Sequence, residues 1–154
     1  MIQITLIGEF PTMNQFIDAA KRVYNVGKAK TSEYSKMKNA WSKDVQWMVK
    51  NMPVLEECKD IVIHWYRKSK RTDKDNIVAG LKVILDGMIQ AGKLKNDGWK
   101  EIGCIHNDYF VNKQNPRVEM YFYSAGEISD IMREKIEQDK RLKTDLRRTR
   151  DDIK

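Results

Sequence analysis

Two hydrophobic periodicities meet within residues 60–92, and a strand followed by a helix is what they permit. Ile61-Val62-Ile63-His64-Trp65-Tyr66 is dense in β-branched and aromatic residues and predicts a strand over 60–66. The basic run Arg67-Lys68-Ser69-Lys70-Arg71 then leads into Thr72-Asp73-Lys74-Asp75-Asn76, small polar residues that open helices well. From Asp75 to Gln90, Ile77, Leu81, Ile84 and Met88 recur at helical spacing, and Gly92 stops the pattern. The fold expected is α/β (α+β), a single small domain with a mixed sheet packed by helices.

The remaining segments fit that frame. Residues 2–7 read as a strand closed by Gly8 and Pro11, and residues 10–30 are mixed, with Lys21, Arg22, Lys28 and Lys30 among them. Met37, Trp41, Val45, Met48 and Val49 predict a helix over 32–51, with Ser32 as its N-cap and Pro53 beyond its end. Asn96-Asp97-Gly98 signals a turn. Residues 101–111 and 118–123 read as two strands of a hairpin joined around 112–116. Trp41, Trp47 and Trp65 are expected in the core, and His64 is expected to be a packed or surface histidine.

Charge separates the two ends of the chain. The 154 residues hold 29 Lys and Arg against 22 Asp and Glu, a formal net charge of +7. Residues 125–154 hold nine basic and eight acidic side chains, so nearly all the excess lies in residues 1–124. The division expected is a core domain over 1–124 and a charged helical C-terminal extension over 125–154. Ile128, Met132, Ile136, Leu142, Leu146 and Ile153 form a broken apolar stripe on that extension, interrupted by Lys135 and Asp139. A basic balance points to a polyanionic partner, nucleic acid above all. No apolar run approaches the length of a membrane span, and the first residues lack the pattern of a signal peptide. Two cysteines, Cys58 and Cys104, are too few for a disulfide framework, so a cytoplasmic location without membrane contact is expected. With only His64 and His106 present, any metal chemistry is expected to use oxygen ligands.

The chemistry concentrates where the basic loop enters the helix. Asp73 and Asp75, one residue apart, can aim two carboxylates at one point, and like charges so close favour a shared hard cation. Mg2+ suits such a pair and serves phosphodiester hydrolysis by activating water and offsetting charge on the leaving oxygen. Asp97, in the turn after the helix, is the best candidate for a third oxygen ligand. On a continuous helix Asp75, Ala79, Lys82 and Asp86 share one face, and the Lys82 side chain leans toward Asp75. Asp86 is farther along the axis and less able to share a metal with Asp75. The run of Arg67, Lys68, Lys70 and Arg71 is a candidate phosphate-contacting loop.

The string Asp73-x-Asp75-Asn76, Lys82-x-x-x-Asp86-Gly87-Met88, Ala91-Gly92 and Asp97 resembles the RusA-type Holliday-junction resolvases of bacteria and their prophages, most strongly over residues 60–123. The resemblance implies a small α/β homodimer that cuts four-way DNA junctions in recombination and repair with Mg2+, for which Mn2+ can substitute. It further implies that Asp73, Asp75 and Asp97 hold the metal and that Lys82 is the essential lysine. Two departures accompany it. The family's lysine follows the second aspartate by four residues, where this chain has Ala79, and Asn96 precedes Asp97 where paired aspartates are common. The extension over 125–154 has no matched counterpart.

Simpler roles exist for each residue. Asp73 and Asp75 can cap a helix, Asp97 can serve a turn, and Lys82 can pair with Asp86 in solvent. The basic run can be a solvated loop. On those roles the chain is a non-catalytic DNA- or RNA-binding protein, or one that engages a protein partner through its tail.

Overall fold

The computed structural model describes residues 1–26 and 29–151, with side chains for these except Ala29 and residues 142–151. Lys28 and Ile153, and the side chains of Leu142 and Leu146 in the expected tail stripe, therefore lie outside the described residues. In chain order the elements are β1 (Ile2–Ile7), α1 (Met13–Ala20), β2 (Val23–Val26), β3 (Ala29–Ser32), α2 (Glu33–Met48), β4 (Lys59–Arg67), α3 (Lys74–Val78), α4 (Leu81–Gln90), β5 (Ile102–Val111), β6 (Arg117–Ser124) and α5 (Glu127–Asp151). The fold is mixed α+β: a four-stranded mixed sheet, a small β2–β3 ribbon and a C-terminal helix.

Sheet order is β1-β6-β4-β5, with β4 and β5 parallel and the other neighbours antiparallel. The expected β5–β6 hairpin is not formed. Both strands are present, but each pairs with a different edge of β4, so the connection around 112–116 steps across that strand. Alternation assigns a strand its faces and leaves its neighbours open. Here both edges of the apolar central strand are covered.

One face of the sheet builds the core. Ile61, Ile63 and Trp65 of β4, Val118, Met120 and Phe122 of β6, and Leu6 of β1 are buried in one cluster with Val45 and Val49 from the end of α2 and Val83, Ile84 and Met88 of α4. Ser32 caps α2 as its sequence predicts, its hydroxyl accepting from the Ser35 N–H at 3.3 Å. Trp65 and, in part, Trp41 join the core, whereas Trp47 is 67% exposed and corrects the expectation for that residue. Helix α1, unforeseen in the mixed segment 10–30, carries a Thr12–Gln15 capping box, a signal present in the sequence. Helices α2 and α4 approach closely because residue 87 lacks a side chain: a Cβ there would stand 2.6 Å from Val45 Cβ and 2.8 Å from the Ser42 carbonyl oxygen.

The single helix expected over 75–90 is two helices. Ala79 and Gly80 separate α3 from α4, and the Gly80 and Lys82 N–H groups donate three residues back, to Ile77 and Ala79, in the tighter 3₁₀ manner. Gly80 packs against the strand-to-α1 connection, where a Cβ would lie 2.9 Å from Phe10 Cβ. The break therefore fits Gly80 into a space too small for any side chain.

A buried carboxylate ties the far end of the sheet together. Asp60 is 1% exposed and accepts from the Cys104 N–H at 2.8 Å, beside a register irregularity between β4 and β5, and from the Ile128 N–H at 3.0 Å in the first turn of α5. Gly103 is required beside it, since a Cβ there would collide with Asp60 Oδ1.

Candidate active site

The loop leaving β4 opens into a cleft of about 420 Å3 whose walls include Lys70, Asp73, Lys74, Ile77 and Tyr109. Asp73 occupies the N-cap position of α3 in extended conformation, yet its side chain makes no capping hydrogen bond. Its carboxylate is thus not used as a cap, which removes the simplest structural role for it. Asp75 lies in the first turn of α3, where a negative charge is favoured by the helix dipole, and both carboxylates are exposed. Lys74 sets its ammonium 5.3 Å from the centre of the Tyr109 ring. The Tyr109 hydroxyl is pushed above the ordinary tyrosine range, by burial first and then by the charges of Asp108 and Asp75.

Lys82 pairs with Asp86, the simpler role its spacing allowed, and also with Asp97. Its Nζ lies 2.9 Å from Asp86 Oδ1 and 3.1 Å from Asp97 Oδ2, and Asp86 Oδ2 in turn lies 2.9 Å from Lys38 Nζ of α2. The Asp86 hydrogen bond first, and the Asp97 one second, hold the Lys82 ammonium above the ordinary lysine range. Burial pushes the Asp86 carboxyl up, but the ammonium groups of Lys38 and Lys82 beside it outweigh that and keep it below the usual carboxylate range. The shared face of Asp75 and Lys82 assumed an unbroken helix over 75–90, which the break at Gly80 removes, whereas Lys82 and Asp86 are one turn apart within α4.

Asp97 fronts a separate hollow of about 210 Å3, bounded by Leu85, Trp99 and Ile105 among others, and does not line the cleft that Asp73 lines. Among the described residues no group of three or more His, Cys, Asp or Glu side chains is gathered so as to hold a metal ion. The structure thus leaves Asp73 and Asp75 as neighbours at the start of α3 and brings Asp97 to Lys82, and among the described residues the three aspartates are not gathered into one metal-holding group.

The basic loop divides as well. Arg67 donates to the Phe10 carbonyl oxygen at 3.0 Å and lies 3.6 Å from the Glu9 carboxylate, so its guanidinium braces the turn after β1. Lys68, Lys70 and Arg71 are exposed.

Several groups escaped sequence reasoning. Lys38 is one; its spacing on α2 gave no hint of Asp86. Trp99, 99% exposed, stands two residues from Asp97. On the sheet face opposite the core, Arg117 lies 3.6 Å from the Tyr66 ring centre and donates to Glu119 at 2.7 Å, while Tyr66 stacks on Phe110. Beside them Nε2 of His64 and Nε2 of His106 lie 3.6 and 3.3 Å from the same oxygen of Asp108. The two-residue spacing of His106 and Asp108 in a strand was the available signal for that cluster. No helix among the described residues is long and apolar enough to cross a membrane. No family model matches the chain, and no curated protein matches it.

Proposed function

We propose that the chain is a Mg2+-dependent, structure-selective endonuclease that resolves four-way DNA junctions in the cytoplasm as a homodimer. The observation that carries the reading is the Asp73 carboxylate, free of capping, at the wall of a cleft beside exposed cations. The resemblance of residues 60–123 to the RusA-type resolvases, which includes that aspartate, also supports it.

The donor set suits the ion in part. Mg2+ binds through one or two carboxylates with retained waters and substrate phosphates, and exposed Asp73 and Asp75 offer two hard oxygen donors at the N-cap and in the first turn of one short helix. Asp97 is hydrogen-bonded to Lys82 and does not line the cleft that Asp73 lines. When bound, the ion supplies an activated water and offsets charge on the scissile phosphate. Lys68, Lys70 and Arg71 hold the backbone of an arm by phosphate contact, which positions without reading sequence. Lys82 contributes a fixed positive charge toward the transition state. A substrate with two opposed strands to cut suits a two-fold protein.

One observation favours a non-catalytic DNA- or RNA-binding protein instead: the three aspartates are not gathered. A labelled four-way junction and a matching duplex, each incubated with the protein with and without Mg2+, separate the two. Paired nicks in the junction that require the ion support the nuclease. Retention of the junction without cleavage in either condition overturns it.

A further inference from the structure

Helix α5 leaves the body of the protein after its first turn. Ile128 is buried and its N–H is held by Asp60, but every residue from Asp130 to Arg141 is exposed. Ile131, Met132 and Ile136 keep 39% to 55% of their surface in solvent. Helices in proteins draw most of their stability from packing an apolar face. Among the described residues, the chain itself supplies no cover for this one.

The pattern along the helix says what cover fits. Ile128, Met132, Lys135, Asp139, Leu142 and Leu146 follow at intervals of 4, 3, 4, 3 and 4 residues, the spacing of a coiled-coil seam. Two charges stand in that seam, and among the described residues neither Lys135 nor Asp139 has an ion-pair partner. A parallel copy in register would set Lys135 on the partner's Lys135 and Asp139 on the partner's Asp139. An antiparallel copy centred on Glu137 sets Lys135 opposite the partner's Asp139 and Met132 opposite the partner's Leu142. The wider charge pattern agrees. Residues 127–139 hold five acidic and two basic side chains, and residues 140–151 hold six basic and two acidic. Antiparallel pairing lays the acidic half of each helix along the basic half of the other, whereas a polyanion would be repelled by the half nearer the body.

We propose that α5 pairs with α5 of a second copy of this chain as an antiparallel coiled coil about Glu137, its register set by two Lys135–Asp139 ion pairs between the chains. Polar groups in a seam cost stability and specify register. The pairing supplies the surface of the proposed homodimer, whether or not the protein cuts DNA.

Sedimentation equilibrium of the full chain over a range of concentrations measures the association. The unsubstituted protein is expected to form dimers. Lys135→Asp, which puts four carboxylates in the seam, should weaken them by at least about tenfold, and adding Asp139→Lys should recover most of the loss. A protein that stays monomeric, or a dimer unmoved by Lys135→Asp, overturns the proposal. Orientation is read from distances between nitroxides on a single introduced cysteine per chain, with Cys58 and Cys104 replaced by serine. Labels on Glu137→Cys should lie close together, and those on Asp130→Cys about 20 Å farther apart along the axis. Equal separations at the two positions indicate a parallel pair and overturn the proposal. An antiparallel dimer that cuts no junction supports the pairing and overturns the nuclease reading alone, and a monomer that cuts junctions does the reverse.

Discussion

Asp60 Oδ2 accepts a hydrogen bond from the Ile128 N–H at 3.0 Å, joining the central strand to the first turn of α5 across 68 residues of chain. The same carboxylate holds the Cys104 N–H with its other oxygen. Asp60→Ala leaves one buried and one half-buried donor without a partner and should destabilise the protein by about 2 kcal/mol, while Asp60→Asn, which keeps one acceptor, should lose less. Urea midpoints give the two values, and hydrogen exchange at Ile128 and Cys104 shows whether both amides lose protection in the alanine variant.

Lys82→Ala is expected to slow the chemical step by about 10²–10³-fold, the effect of removing one preorganised electrostatic group. Lys74→Ala should change it much less, because Lys74 rests over the Tyr109 ring. Single-turnover cleavage of a junction at saturating protein compares them. A normal rate for Lys82→Ala beside a slow Lys74→Ala would show that the cation used is the one in the cleft.

Acid stability should depend on Lys38. The ammonium groups of Lys38 and Lys82 outweigh the effect of burial and hold the Asp86 carboxyl below its ordinary value. A carboxyl depressed in the folded state adds stability above its unfolded pKa, about 3.9, and loses it as pH falls through the lower folded value. Lys38→Met removes one of the two ion pairs. Its melting temperature should fall relative to the unsubstituted protein at neutral pH, and the gap should narrow below about pH 4. Glu119 is also held low, burial being outweighed by bonds from Arg117 and Tyr121, so the acid limb keeps part of its slope in the variant. Melting curves from neutral to strongly acidic buffer test this. A gap that widens in acid is the contrary result.

The salt dependence of junction binding should separate Arg67 from its neighbours. Replacing Lys68, Lys70 and Arg71 with alanine should lower the slope of log affinity against log salt by about 0.9 for each phosphate contact removed. Arg67→Ala should leave that slope nearly unchanged and reduce the urea midpoint instead, since its guanidinium bonds to the Phe10 carbonyl. Titrations of a labelled junction over a range of salt concentrations measure the slopes.

What the sequence disclosed follows the range over which each signal acts. Local signals were sufficient for β1, β4, α2 and its Ser32 cap, because alternation, helical spacing and N-cap chemistry operate within a few residues. The break at Gly80 was not legible. A lone glycine in a helical pattern is compatible with an unbroken helix, and the deciding contact is with Phe10, 70 positions earlier. The separation of β5 from β6 depended on which edges of β4 stayed open, a question alternation does not address. At the candidate site, the adjacency of Asp73 and Asp75 was visible because they stand one residue apart, and the resemblance of the string around them was what marked them as candidates. The partners of Lys82 could not, since Asp97 reaches it from a turn whose path is fixed by Leu94 and Leu55.

The sheet face opposite the core carries Asp108 and Glu119, and its arginine, Arg117, is already paired within the face. Lys68, Lys70 and Arg71 project from the loop at the end of β4. Basic charge on the loop and acidic charge on the sheet therefore sit on different elements, so a polyanion approaching this protein would be attracted more strongly by the loop than by the sheet, and oriented by that difference before contact.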